Sequence, residues 1–177
     1  MILQEDNLVV RNLEASDADH LLRWLTDSNV LAFVEGRDRQ HDKDSIQETF
    51  FAEDEVRRGI VEWEGTPVGY TEMEPWDEGS KRMHGYPADA TIWEMAQFIG
   101  EPRYWNQGIG TQLIQALTRY LAEKEGAQLI VMLPQIRNTR AIRCYEKCGF
   151  RRVKLLPQHQ FFEGAWQNCW LMEWQPE

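Results

Sequence analysis

The sequence lacks the long hydrophobic run that a membrane-spanning helix requires. No stretch reaches the roughly 18 uncharged apolar residues of a span. Residues 1–6 also lack the basic segment and apolar run that are typical of a secretory signal peptide. We therefore expect a cytoplasmic protein that does not insert into a membrane.

Cysteine and histidine are scarce. Of the three cysteines, Cys144 and Cys148 lie four residues apart on a predicted helix, so they share a face and suit packing. No second Cys or His pair stands at ligand spacing to complete a zinc site. The four histidines are scattered, so we expect neither a metal nor a structural disulfide.

Positive charge is also in deficit. The formal net charge is −10, and no basic stripe is present to neutralise phosphates, which argues against a nucleic-acid partner. An acidic cleft would instead attract and orient a cationic substrate. The 177 residues are 42% hydrophobic and contain no repeat, low-complexity tract or linker. We expect one globular domain spanning residues 1–177.

Two glycine-centred segments are the most informative features that are present. In residues 97–111, a short apolar strand meets a loop containing Gly108 and Gly110, and a helix follows. The glycines let backbone N–H groups approach an anion, and the helix directs the positive end of its dipole at the same place. The second segment, residues 138–150, is a predicted helix closed by Gly149.

Two nucleotide-binding motifs with a similar pattern are excluded for the first segment. A P-loop requires lysine after its last glycine, but Gly110 is followed by Thr111. A dinucleotide fingerprint requires a small residue where Leu113 stands. Taken alone, the segment could still be an ordinary strand–turn–helix whose glycines serve only the turn.

Hydrophobic periodicity and turn residues predict an α+β chain with a central mixed, mostly antiparallel sheet flanked by helices. We expect strands at residues 8–10, 59–63, 68–73, 91–99, 129–133, 151–156 and 168–174. Helices are expected from residue 16, over 44–53, from about 111 to 126, and over 139–148. Residues 76–89 hold glycine, proline and mixed charge, which predicts a loop.

Together, the two glycine-centred segments resemble the acetyl-CoA-binding motifs of the GNAT N-acetyltransferase superfamily. The similarity extends over nearly the whole chain to the aminoglycoside 6'-N-acetyltransferases, enzymes of antibiotic resistance, and especially to the acetyltransferase half of the bifunctional acetyltransferase–phosphotransferase. The matching segments are residues 24–27, 36–38, 67–70, 97–102, 104–105, 108–111, 140–143, 149–151 and 171–173. The resemblance implies the GNAT fold, acetyl-CoA as co-substrate, no metal, and a cationic small-molecule amine as acceptor.

The resemblance also implies positions for the cofactor. The backbone N–H groups of the loop would hold the pyrophosphate, and strand residues would run alongside the pantetheine arm with an N–H near Ile99 facing the thioester oxygen. Tyr145 would protonate the departing thiolate, although it could instead only pack its ring. The implied cofactor-binding residues are Phe98, Ile99, Gln107, Gly108, Ile109, Gly110, Thr111, Asn138, Ala141 and Tyr145.

The acceptor site departs from the pattern of the relatives. An aliphatic amine has a pKa of about 10 and must lose a proton before it attacks. The relatives show aspartate where this chain has Ala96 and Leu133. Strand alternation puts Glu94 on the same face as Ala96, so Glu94 is our candidate base. The other candidate acceptor-binding residues are Trp24, Glu72 and Glu163, and each carboxylate could instead be a solvated surface group.

Three functions therefore stay open at this stage. The first is acetyl transfer to the 6'-amine of aminoglycosides. The second is acetylation of a polyamine or of a protein or peptide N-terminus. The third is acyl-CoA binding without turnover, after loss of the two aspartates. The sequence is compatible with a monomer or a homodimer.

Overall fold

The computed structural model describes residues 1–177 and contains eight strands and six α-helices. The strands are β1 (Leu3–Glu5), β2 (Leu8–Asn12), β3 (Arg57–Trp63), β4 (Thr66–Pro75), β5 (Ile92–Ile99), β6 (Leu129–Met132), β7 (Arg151–Phe162) and β8 (Ala165–Trp174). The helices are α1 (Ala18–Trp24), α2 (Ser28–Leu31), α3 (Lys43–Phe50), α4 (Glu78–Met83), α5 (Ile109–Lys124) and α6 (Thr139–Lys147). None of the helices has the length and apolar character needed to cross a membrane.

All eight strands form one sheet in the order β1-β2-β3-β4-β5-β6-β8-β7. Every neighbouring pair is antiparallel except β5 and β6, which are parallel. The predicted α+β class with a mixed, mostly antiparallel sheet is confirmed. Helices cover both faces of the sheet, and apolar side chains are buried between each face and its helices.

The two faces carry different helices. Side chains such as Met73 and Met95 pack with α5 and α6, whereas Ile60, Tyr70 and Phe98 pack with α1 to α3. Because side chains alternate along a strand, even-numbered residues from Tyr70 onward in β4 and along β5 face the α1–α3 side, and odd-numbered residues face the α5–α6 side. Val68 packs with α5 because the register of β3 and β4 shifts just before Gly69.

Strands β5 and β6 separate after a short pairing. They pair only from Ile92 to Glu94, while β5 continues beside β4 as far as Ile99. The backbone groups of Ile92 and Gly100 bond to the β4 side, because Trp76 N–H donates to Ile92 C=O (2.9 Å) and Gly100 N–H donates to Val68 C=O (2.8 Å). Alternation therefore turns the backbone groups of the odd-numbered residues 95–99 into the gap between β5 and β6.

Several element bounds differ from the sequence prediction. Residues 76–89 are not only a loop, because α4 forms there after Asp77, whose carboxylate accepts the Ser80 N–H (2.7 Å) as an N-terminal cap. Helix α5 begins two residues earlier than expected, at Ile109. Strands β7 and β8 are longer than expected because a tight turn at Glu163-Gly164, with φ of 49° and 79°, joins them into one hairpin. Strand β1 and helix α2 were not predicted.

Candidate functional site

A cavity of about 1180 Å³ opens where β5 and β6 separate. We call it the central cavity. Its walls come from β4, β5, the segment around α2, the first turn of α5, α6 and β7. It brings together most of the sequence-predicted site residues, namely Glu72, Glu94, Phe98, Ile99, Gly108, Ile109, Gly110, Thr111, Asn138, Ala141 and Tyr145.

The glycine loop forms one end of the central cavity. Gly108 precedes α5 with a left-handed φ of 81°, a conformation that favours glycine. A Cβ built at Gly108 or Gly110 would meet no atom within 4 Å, so the space in front of the loop is open. The first N–H groups of α5 have no partner inside the helix and point towards this end of the cavity. Such a helix start can bind an anion.

Basic side chains from α6 surround the same end, and sequence reasoning missed them. Arg140, Arg143 and Lys147 all line the central cavity. Arg140 also stacks over the Trp105 ring at 4.7 Å. Their spacing of three and four residues on one predicted helix was the signal, because such residues share a helix face.

The Trp105 side chain fixes the loop to the end of β5. Its indole N–H donates to the backbone C=O of Ile99 at 2.8 Å. That carbonyl lies on the open edge of β5, where no strand pairs with it. Trp105 therefore satisfies an edge acceptor and holds the loop against the strand that lines the cavity.

Tyr145 lies on the α5–α6 side of the gap. Its hydroxyl accepts a hydrogen bond from the Gln97 side-chain amide at 3.2 Å. Burial raises the pKa of Tyr145 to about 12, and the bond from Gln97 opposes that rise. The phenol is protonated at neutral pH and can donate a proton into the cavity.

Glu94 lies on the other face of the sheet, beside Glu72 and Glu74 of β4. It stands opposite Glu74 in the strand register, and Glu72 stands opposite Ala96. The pKa of Glu94 is raised to about 7: burial and, less strongly, the two β4 carboxylates raise it, whereas the hydrogen bond from the indole N–H of Trp76 (2.7 Å) opposes the rise.

Glu72 has a similar environment. Its carboxylate accepts a hydrogen bond from the Tyr70 hydroxyl at 2.8 Å, and burial raises its pKa. Unlike Glu94, it stands opposite Arg58 of β3, whose charge opposes that rise. Neither Glu72 nor Glu94 forms a salt bridge with any lysine or arginine of the chain. The α1–α3 side of the central cavity thus holds two partly buried carboxylates whose only hydrogen-bond partners are neutral donors.

Three sequence-predicted residues do not line the cavity. Trp24 is only 1% exposed and lies against Gly100, where an added Cβ would be 2.2 Å from its ring. Its indole N–H donates to Glu101 at 3.0 Å. Trp24 thus supports the end of β5 from beneath instead of reaching an acceptor.

Glu163 and Gln107 are the other two. Glu163 pairs with Arg37 across the surface (2.6 Å and 2.8 Å), and that guanidinium lowers the Glu163 pKa to about 2. The pair links the β7–β8 turn to the segment between α2 and α3. The Gln107 side chain is exposed and donates to the C=O of Arg103 at 2.6 Å, so only its backbone belongs to the glycine loop.

Comparisons with known proteins agree with this geometry. The family described as "acetyltransferase (GNAT) domain" matches residues 14–157. An aminoglycoside N(6')-acetyltransferase type 1 from Klebsiella pneumoniae is 26% identical over 151 residues, which cover 83% of this chain and 75% of the relative.

Two solved structures share the fold over nearly the full length. One is a spermidine N-acetyltransferase from Vibrio cholerae in complex with CoA and spermine (TM-score 0.78, 19% identity, 97% of this chain and 96% of that chain). The other is the aminoglycoside acetyltransferase AAC(6')-Ib in complex with ribostamycin and coenzyme A (TM-score 0.76, 23% identity, 96% and 94%).

Proposed function

The chain belongs to the GNAT acetyltransferase family, and from that premise we propose that it transfers the acetyl group of acetyl-CoA to a primary amine of a cationic small molecule. The leading acceptor is the 6'-amine of an aminoglycoside. The observation that carries the choice of acceptor is Glu94, a partly buried carboxylate that has no cationic partner within the chain. Glu72 lies beside it and adds negative charge, although Arg58 of β3 stands opposite Glu72.

A desolvated carboxylate without a counter-ion is costly, and an ammonium group entering the central cavity beside Glu94 would offset that cost. The named relatives fit this chemistry. Spermine and ribostamycin, which occupy the two similar structures, are both polyamines in the chemical sense. The formal net charge of −10 favours the approach of such cations.

The other end of the cavity suits the co-substrate. The helix start at residues 108–111 offers unpaired N–H groups to a pyrophosphate, and Arg140, Arg143 and Lys147 add positive charge nearby. The open edge of β5 between them and the carboxylates offers backbone groups to an extended pantetheine arm.

In the proposed reaction, the acceptor binds as an ammonium and gives one proton to Glu94. The amine nitrogen then attacks the thioester carbon, and an N–H at the edge of β5 near Ile99 stabilises the oxyanion. As the C–S bond breaks, the thiolate takes the proton of Tyr145. The proton that remains on nitrogen restores Tyr145, and Glu94 releases its proton to water. The products are an amide and CoA thiol.

The test measures thiol release from acetyl-CoA with a panel of amines, together with the mass of each product. We expect saturable turnover with an aminoglycoside that carries a 6'-amine and none with the matched aminoglycoside that carries a 6'-hydroxyl. If turnover is confined to linear polyamines or to peptide N-termini, the acceptor belongs to that class and not to the aminoglycosides. Acetyl-CoA binding without acetylation of any amine would refute the catalytic proposal.

A further inference from the structure

We propose that Trp76 is a positioning residue for Glu94: its indole N–H holds one carboxylate oxygen, favours the ionised form of Glu94 and leaves the second oxygen directed at the acceptor. The inference rests on the proposed function, which makes Glu94 the base. Nothing in the sequence pattern singles out Trp76, because it lies beyond the end of β4 in a segment predicted to be a loop.

The geometry holds the indole in one orientation. Trp76 is 7% exposed, and its backbone N–H bonds to the C=O of Ile92 at 2.9 Å. Its ring stacks on His84 (4.9 Å between centroids, 22° between planes) and meets the edge of Tyr86 at 5.8 Å. The Nε1–Oε2 distance to Glu94 is 2.7 Å, typical of a hydrogen bond to a charged acceptor.

Helix α4 explains how Trp76 is held there. The chain leaves β4 at Trp76, turns through α4 and returns with His84 and Tyr86 against the same indole. The Tyr86 hydroxyl itself donates a hydrogen bond to the carboxylate of Glu173 on β8. The segment between β4 and β5 therefore holds the Trp76 indole in place, with its N–H group directed at Glu94.

The groups around Glu94 make this single donor important. Glu72 and Glu74 approach from β4, and both oppose ionisation of Glu94, as does its burial. His84 lies behind the indole, and His159 of β7 lines the same cavity at 6.4 Å from His84. No other side chain or backbone group of the chain donates a hydrogen bond to the Glu94 carboxylate.

The first test is the pH dependence of kcat/KM for Trp76→Phe, which keeps an aromatic ring but removes the N–H. Loss of a hydrogen bond to a carboxylate should move the acidic midpoint upward by about 1 pH unit. Activity should fall about 10-fold below the parent midpoint and approach the parent value well above it. Trp93→Phe is the matched control, since Trp93 is as buried (5% exposed) but lies on the other face of the sheet.

A second measurement does not depend on activity. In ¹H–¹⁵N spectra of the ligand-free protein, the indole signal that Trp76→Phe removes should shift with pH around the midpoint seen in the kinetics. Glu94→Gln should abolish that shift, whereas titration of the neighbouring His84 would survive it. If Trp76→Phe does not fold, the eight indole signals of the parent are compared with those of Glu94→Gln. One signal should lose its pH-dependent shift, and the absence of any such signal would overturn the role of Trp76.

The outcomes separate the two proposals. Two results would overturn the role of Trp76 even if the enzyme acetylates amines. One is an unchanged kinetic midpoint in folded Trp76→Phe, and the other is an indole signal whose pH dependence is the same in the parent and in Glu94→Gln. An indole signal that follows Glu94 in a protein that acetylates nothing would support the hydrogen bond and refute the proposed function.

Discussion

Replacing Glu94 by glutamine should stabilise the ligand-free protein at neutral and alkaline pH. The folded pKa of Glu94 is about 7, above its ordinary value of 4.5, because the side chain is desolvated beside two other carboxylates. Between these two values the folded chain holds a proton that the unfolded chain has released. Stability contributed by this group is therefore present at low pH and is lost as the pH rises through this window.

The size of the effect follows from the same two values. A difference between 4.5 and about 7 corresponds to about 3 kcal/mol of destabilisation once the pH is above both. Glutamine keeps a carbonyl oxygen for the Trp76 N–H but carries no charge to desolvate. For a chain of this length, about 3 kcal/mol corresponds to a rise in Tm of roughly 6–12 °C.

The assay is thermal unfolding of parent and Glu94→Gln from pH 4 to pH 9 without ligand. The two melting temperatures should converge near pH 4 and separate as the pH rises, with the variant higher. Glu123→Gln, an exposed glutamate of α5, is the control and should track the parent throughout. A Glu94→Gln variant that is less stable than the parent at pH 8 would refute the claim that Glu94 is an uncompensated, desolvated carboxylate.

Three further predictions concern the reaction. Gly110→Val should weaken acetyl-CoA binding on the order of 10-fold or more in calorimetry while the fold persists, because the new side chain would enter the open space in front of the α5 N-terminus. Gly79→Val on α4 is the control. If Gly110→Val binds acetyl-CoA as tightly as the parent does, the loop is not the pyrophosphate site. Tyr145→Phe should bind acetyl-CoA normally but lose about 10²–10⁴-fold in kcat, and a kcat within about twofold of the parent would remove Tyr145 from the mechanism. Ala96→Asp should lower KM for an aminoglycoside, because it adds an anion to the cavity. It should also lower the stability of the ligand-free protein, because the new carboxylate would face Glu72 directly. An unchanged or raised KM would show that the acceptor needs the space that Ala96 leaves.

The backbone of the site could be predicted from the sequence because its signals are local. Alternation along β4 and β5 gave the shared face of Glu94 and Ala96, and the glycines gave the helix start at the end of the cavity. The strands expected at residues 59–63 and 68–73 follow each other closely, and they form a hairpin whose turn is Glu64-Gly65, where both residues adopt the positive φ that such a turn needs. Each of these features depends on residues within a few positions of one another.

The misplaced residues depend on contacts that are distant in sequence. Arg37, which engages Glu163, lies 126 positions away, and no local pattern could reveal that pair. Trp24 matched the relatives at its position, but a matching position does not tell whether a side chain is buried, and here Gly100 leaves room only for a supporting ring. Helix α4 has only six residues, too few to show a periodic hydrophobic pattern. The contact between the Trp76 indole and Glu94, which depends on this helix, could therefore not be predicted either.

The strand parity of β5 gives a physical reason why the chain can lack an aspartate at position 96. Odd-numbered Gln97 reaches Tyr145 on one face of the sheet, and even-numbered Glu94 reaches Trp76 on the other, so one strand holds both candidate proton-transfer groups from opposite sides of the gap. On the second face, Glu72 already stands directly across from Ala96. A carboxylate at both positions would oppose like charges across adjacent strands, and a bound cation would offset part of that cost. Acidity of the acceptor face is thus retained through β4 and through Glu94, and the alanine avoids a further like charge opposite Glu72 in the empty enzyme.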